Sequence, residues 1–195
     1  MARGNRTYII TWNCESLRAK KHELDILIAE KNPVAICLQD TRLNEADEDY
    51  FKISGYTAYF NSFGTSPSGV AIYVKNSIPQ SPVKVISNLQ ALAVRVTMKG
   101  KAYVITSIYI PPSTVPTVQD FDTFISQLKS TSYLLNGDLN AHSLLWGASS
   151  TCARGKVAEQ ILNKYHLIPV NISHNTFLSR AYGTYSLVDL SLLHS

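Results

Sequence analysis

The segment that decides the fold is YIITWNCESLRAKKHELDILIAEKNPVAICLQD, residues 8–40. Tyr8 to Trp12 are β-branched or aromatic and read as a strand. Leu17, Leu24, Leu27 and Ile28 then fall at helical spacing, and Asn32-Pro33 stops the helix. Val34 to Gln39 is a nearly continuous apolar run, as expected of a strand covered on both faces. The order strand, helix, strand predicts a βαβ opening in which the sheet is buried rather than half solvated.

Further along the chain the pattern changes. YTAYF, GVAIYVK, ALAVRVTM and AYVITSIYI are strand-like runs separated by Gly, Ser, Pro and Asn, with KGK as a tight connection between the last two. Ala102 to Ile110 is apolar on both alternating faces, so that strand too is expected to be covered twice. Phe121, Phe124, Ile125 and Leu128 predict a second helix, and Val157, Ile161, Leu162 and Tyr165 a third, with the strand YLLNGDLN between them. A last strand is expected over YSLVDLSLL. Hairpins with interspersed helices and double-faced burial point to an α+β fold, two sheets face to face with helices outside.

The 195 residues fit one domain. The composition, 45% hydrophobic and 16% charged with 9 Gly and 8 Pro, supports a sizeable core and lacks the signature of disorder. A net charge of +4 and a pI near 8.9 are compatible with a polyanionic partner but too mild to establish one. Cys14, Cys37 and Cys152 lack any C-x-x-C spacing and read as reduced thiols of an intracellular protein. The N-terminus lacks the apolar core of a signal peptide, and no stretch approaches the roughly 18 apolar residues of a membrane helix, so no membrane partner is expected.

Polar groups stand where apolar strands end: Asn13 after YIITW, Asp40 after VAICLQ, Tyr109 before Pro111-Pro112, and Asp138 with Asn140 after YLLNG. Asp189 interrupts the last strand. Taken singly, the Asn and Asp residues could be turn formers that bond their own backbone, Tyr109 a core aromatic, Asp40 a cap, and Asp189 a paired buried carboxylate. If strand geometry continues past Asp138, Asn140 shares its face, because side chains two apart point the same way. Together the groups suit phosphodiester hydrolysis: a carboxylate for a hard divalent cation, another for water, and neutral donors for phosphate oxygens. Ligand clusters for zinc are absent from the sequence, as are the phosphate-loop and G-x-S-x-G motifs.

WNCESLRAK, ICLQDTRL, SGVAIYVK, SIYIPP, NGDLNAHSLLWG and SLVDLSLL resemble, in order and spacing, the motifs of the endonuclease/exonuclease/phosphatase superfamily. More narrowly they resemble the apurinic-type endonuclease domain of non-LTR retrotransposons. The resemblance runs from Trp12 to Leu193. It implies a four-layer α/β sandwich, two mainly antiparallel sheets packed face to face between helices, with the site at one end. It also implies Mg²⁺, or Mn²⁺, as cofactor, DNA as partner, a downstream reverse transcriptase in the same polyprotein, and a nuclear location. Carried over by position, Asn13 and Asp40 would hold the metal, Tyr109 and Asn140 would bind the phosphate, and Asp138 would orient or deprotonate water. Ser186 matches the family's substrate-binding serine, and Asp189 the aspartate that orients a catalytic histidine. Residues 61–68 are a candidate DNA-contacting loop.

The chain departs from that pattern at three places. Asp40 stands where the family usually has glutamate, and Ser68 stands in a position usually held by glycine. The family's final strand with its S-D-H motif is not found in residues 1–195, and His194 does not match its histidine. The expectations are therefore a metal-dependent DNA-nicking endonuclease, a catalytically impaired fragment or decayed copy retaining DNA binding, or a phosphatase of the same superfamily.

Overall fold

A computed structural model describes residues 7–62, 68–130, 132–171, 175–179 and 184–194. The opening segment forms the predicted unit: β1 (Ile9–Asn13), α1 (Leu17–Lys31) and β2 (Ala35–Gln39), with β1 and β2 parallel and Asn13 registered on Gln39. The Ser16 hydroxyl caps the start of α1, and Asn32 turns into the left-handed region (φ +44) to end it. The Asn32 N–H donates to the Ile28 carbonyl at 2.8 Å, which satisfies one of the carbonyls a helix end leaves open. β3 (Tyr56–Asn61) and β4 (Val70–Lys75) complete a four-stranded sheet of order β1-β2-β4-β3.

The second sheet contains β5 (Gln80–Pro82), β6 (Gln90–Met98), β7 (Lys101–Tyr109), β8 (Tyr133–Asp138), β9 (Ile168–Pro169) and β12 (Asp189–His194), in the order β5-β6-β7-β8-β12-β9. Only β7 and β8 pair in parallel there, which requires the crossover through α2 (Val118–Gln127). Lys99 and Gly100, both left-handed at φ +51 and +76, form the two-residue turn of the β6–β7 hairpin. α3 (Ala153–Lys164) follows β8, and β10 (Phe177–Ser179) pairs with β11 (Thr184–Ser186) in a separate ribbon. The expected strand over YSLVDLSLL is thus two strands, broken at Leu187 and Val188. Both of these side chains are buried, so the break serves packing while the chain passes from the ribbon into the main sheet.

Alternation along each strand sorts the core into layers. On one face of β2 and β4, Ile36, Leu38, Ala71 and Tyr73 pack with Leu17 and Leu24 of α1. On the other face Ala35, Cys37, Ile72 and Val74 meet Val94, Val96 and Ile105 of the second sheet. Beyond that sheet, Val104, Ile108 and Leu135 pack with Phe121 and Phe124 of α2 and Ala158 and Ile161 of α3. The result is the four-layer sandwich, helix, sheet, sheet, helices. Its strands β2 and β4 are enclosed on both faces, as their apolar runs require.

Gly69, not Ser68, occupies the left-handed position at the start of β4 (φ +99), where a Cβ would lie 2.7 Å from the Thr41 hydroxyl. The serine in the family's first glycine position therefore meets no backbone demand. Of the candidate DNA-contacting loop, residues 63–67 lie outside the described residues. Asn61 and Ser62 are tied down, to the Ala91 carbonyl and to Glu48.

Candidate active site

Register brings the sequence-distant polar groups to one end of the facing sheets. Tyr109 pairs with Asp138 across β7–β8, and Asp138 pairs with Asp189 across β8–β12. Cross-strand partners share a face, so all three follow the inward-facing series that begins with Ile105. Asn13 ends β1 in the opposing sheet, and its amide Nδ2 donates to Asp138 Oδ2 at 2.7 Å. Asp40, directly after β2, completes the group. These residues line one cleft of about 690 Å³, together with Glu15, Arg42 and Asn140.

Asp138 is 4% exposed and accepts from three donors: Asn13 Nδ2, the Asn140 backbone N–H at 2.8 Å on Oδ1, and Asn140 Nδ2 at 3.3 Å on Oδ2. Burial raises its pKa above the usual carboxylate value, opposed by the bonds from Asn13 and Asn140. The charge of Asp40 raises it further, and that of Arg154 lowers it. Asn140 does not continue the strand as the sequence suggested. It sits at φ +46, a conformation asparagine tolerates, and the chain folds into a local turn closed on Asp138 Oδ1. The two side chains still meet, through a turn rather than a shared strand face. Asn140 Nδ2 also donates to the Ile110 carbonyl at 3.0 Å, which joins the β7 and β8 ends.

Tyr109 is buried, and desolvation with the charges of Asp40 and Asp138 pushes its phenol up to about 12. It therefore remains a hydrogen-bond donor at neutral pH. Asp189 is pushed up to about 7, first by burial and then by the charge of Asp138. Its Oδ1 is buried with no partner among the described residues, and its backbone N–H donates to the Thr176 hydroxyl at 3.1 Å. No histidine among the described residues stands at Asp189. His194 lies at the other end of β12, stacked on Tyr133 with ring centroids 4.6 Å apart. Ser186 falls in β11, and its side chain lies outside the described residues.

Asp40 is 3% exposed and left-handed (φ +51). It forms a fork with Arg42: Nη2 donates to Oδ2 at 2.8 Å, and Nε to both oxygens at 3.2 Å. Among the described residues no set of three His, Cys, Asp or Glu side chains is grouped to hold a metal. The donors here are one carboxylate and the Asn13 amide oxygen, which already accepts from the Glu15 N–H at 3.0 Å. Oxygen donors of this kind fit Mg²⁺, which is commonly held by one or two carboxylates with water and substrate phosphate completing the shell.

Several contributors were not singled out in the sequence. Gln39, Ser107, Asn136 and Ser191 form a buried polar tier beneath the site. Gln39 donates to Ser107 Oγ at 2.8 Å, Ser107 to the Leu38 carbonyl at 2.8 Å, and Ser191 to Asn136 Oδ1 at 2.9 Å. The signal was present as polar residues two positions from a site residue along the same strand: Ser107 before Tyr109, Asn136 before Asp138, Ser191 after Asp189. Arg154, at the start of α3, donates to the Asn140 and Pro112 carbonyls, each at 2.7 Å. It clamps the two loops that carry Tyr109 and Asn140. Gly155 beside it has no room for a side chain, since a Cβ would lie 1.9 Å from the His142 carbonyl oxygen.

A family model described as endonuclease-reverse transcriptase matches residues 103–195, which include Tyr109, Asp138, Asn140 and Asp189. The chain is 25% identical over 178 residues to the RNA-directed DNA polymerase from mobile element jockey of Drosophila melanogaster, covering 86% of this chain and 19% of that protein. It is 29% identical over 160 residues to the probable RNA-directed DNA polymerase from transposon X-element of the same species, covering 80% and 17%. The chain thus spans less than a fifth of the length of either relative. Among solved structures, the endonuclease domain of TRAS1, a telomere-specific non-LTR retrotransposon, matches with a TM-score of 0.77 at 18% identity, over 97% of this chain and 86% of that one. The 3′ phosphatase NExo from Neisseria, bound to a product DNA hairpin, matches with a TM-score of 0.67 at 16% identity, over 95% and 86%. Fold, motif order and relatives point the same way: the chain has the sandwich fold of these solved structures, and its sequence is similar to the endonuclease-reverse transcriptase family over residues 103–195 and to retrotransposon polymerases over most of its length.

Proposed function

We propose that this domain cleaves phosphodiester bonds of DNA, nicking one strand to leave a 3′-hydroxyl that a reverse transcriptase of the same polyprotein extends. The observation that carries the reading is the Asp138 carboxylate, buried at the end of the sandwich and held by Asn13 and Asn140 beside the Tyr109 phenol. Asp138, with its raised pKa, takes a proton from the attacking water or orients it. Tyr109, protonated throughout the neutral range, donates to a phosphate oxygen, and Asn140 supports the charge that develops on the phosphorane. Asp40 and Asn13 would hold Mg²⁺ or Mn²⁺, and such an ion supplies charge neutralisation at the phosphate and leaving oxygen. Asp189 lies behind Asp138 and would orient a proton donor through its unpartnered oxygen.

That same oxygen, and the hold of Arg42 on Asp40, favour a second reading in which the domain binds DNA with weak or no cleavage. Nicking of supercoiled plasmid by the purified chain in Mg²⁺ separates the two. The expected result is a nick abolished by EDTA and reduced roughly 10²- to 10⁴-fold by Asp138→Ala, the range for loss of a general base. Plasmid retarded in a gel by folded protein, with no nick, would reject the first reading in favour of the second.

A further inference from the structure

We propose that Arg42 is a built-in competitor for the cation site: a divalent ion can engage Asp40 only by taking the carboxylate from the Arg42 guanidinium. This rests on the reading of Asp40 as the metal carboxylate. Both Asp40 oxygens accept from Arg42, at 2.8 and 3.2 Å, in the forked geometry that makes guanidinium–carboxylate pairs strong and directional. The two residues are only two apart in the chain, and both adopt left-handed backbone, Asp40 at φ +51 and Arg42 at φ +54. Backbone bonds from the Thr41 N–H to the Gly69 carbonyl (3.1 Å) and from the Arg42 N–H to the Ser68 carbonyl (2.8 Å) fix this turn against β4. The pairing is thus set by the backbone rather than by a chance rotamer. The partners differ in freedom, because the Asp40 side chain is 4% exposed and that of Arg42 is 44% exposed. The carboxylate stays and the guanidinium can leave.

Asp40 carries one methylene fewer than glutamate would at this place, and the arginine closes over that shorter reach. A guanidinium and a divalent ion cannot share the same two oxygens without strong like-charge repulsion, so each weakens the other. The guanidinium also faces Glu15 and Tyr109 across the cleft. Once displaced it remains in the wall where the substrate phosphate is bound. The chain thereby couples metal loading to the appearance of a free cation at the phosphate site.

Mn²⁺ binding, followed by the electron paramagnetic resonance of the free ion, tests the competition in the wild-type chain, Arg42→Gln and Asp40→Asn. The expected result is affinity raised roughly tenfold or more in Arg42→Gln, the effect of removing one charge within ~4–6 Å, and lost in Asp40→Asn. Equal or weaker binding in folded Arg42→Gln, with binding still lost in Asp40→Asn, would overturn the competition while leaving Asp40 as the metal ligand. Binding indifferent to Asp40→Asn would overturn both. A second measurement needs no variant to fold well. The Arg42 side-chain Nε–H resonance of the wild-type chain should shift as Mg²⁺ is added, and its constancy through saturation would refute the exchange.

Discussion

Replacing Asp189 by Asn should make the domain more stable at pH 8.5 and less stable at pH 4, with the two curves crossing between. In the folded chain the Asp189 carboxyl is pushed up to about 7 by burial and by Asp138, whereas in the unfolded chain it titrates near 3.9. A raised acid pKa means that the folded state keeps its proton while the unfolded state releases it. The stability that the neutral carboxyl confers is complete below about pH 4 and is lost as pH rises through about 7. Three pH units at ~1.36 kcal/mol each set a ceiling of roughly 4 kcal/mol on the loss. The Asn amide brings N–H donors to a site whose Oδ1 already lacks a partner, at a cost of ~1–3 kcal/mol. The net expectation is a gain of about 1–3 kcal/mol at pH 8.5 and a loss of about 1 kcal/mol or more at pH 4, from the same principles. Urea denaturation of both proteins from pH 4 to 9 measures the difference curve, and a gain of that size corresponds to several degrees in Tm. Asp138→Asn in the wild-type background should move the transition to lower pH, because it removes the second cause of the shift. A wild-type minus Asp189→Asn difference that stays flat from pH 4 to 8.5 would refute the raised pKa.

Two further perturbations test the frame around the site. Arg154→Ala releases the Asn140 and Pro112 carbonyls and should lower kcat by roughly 10-fold or more with KM little changed, a small misplacement being enough for such losses. Since Arg154 lowers the pKa of Asp138, its removal should also move the acid limb of the pH–rate profile upward, with partial restoration by Arg154→Lys. An unchanged profile in folded Arg154→Ala would deny the residue any influence on Asp138. Gly137→Ala should cost about 3 kcal/mol by denaturant titration, the upper range for overpacking, because the added Cβ would lie 2.1 Å from the Ile108 carbonyl oxygen. A cost below about 1 kcal/mol would mean that β7 and β8 can separate locally, as overpacked sites that relax do.

The layering was legible from β2, because the apolar run Val34 to Gln39 has no solvated face and demands cover on both sides. So were the three helices, whose apolar spacing survives in Leu17 and Leu24, Phe121 and Phe124, and Ile161 with Val157 and Leu162 packed beside it. Strand ends were also legible, since Asn13, Tyr109 and Asp138 each close an apolar run. The left-handed turns were only partly so: asparagine tolerates positive φ at 140, but nothing local marks Arg42 for it, and both turns are fixed by contacts, with Ile110 and with Ser68. The short strands β5, β9 and β10 escaped because two or three residues cannot display a period. Arg42 was passed over because an arginine two positions from an aspartate is ordinary in sequence, and only the folded turn aims it at the carboxylate.

On the proposed reading, the charge of the cleft is the reason a cation would be required in addition to its shape. Among the described residues, Glu15, Asp40, Asp138 and Asp189 line the cleft against one guanidinium, that of Arg42. Arg42 is spent on Asp40, and Arg154 acts from behind the Asn140 loop, where its Nε and Nη1 donate to carbonyls. Partial protonation of Asp189 relieves one charge near neutrality, while the three donors on Asp138 favour its charged form against the burial that raises its pKa. A phosphodiester entering this cleft meets net negative charge at short range, where the low dielectric makes repulsion costly. A divalent ion on Asp40 reverses that balance twice, by its own charge and by releasing the guanidinium. Tight phosphate binding and correct metal loading are then one event, and a shorter carboxylate paired with an arginine couples them.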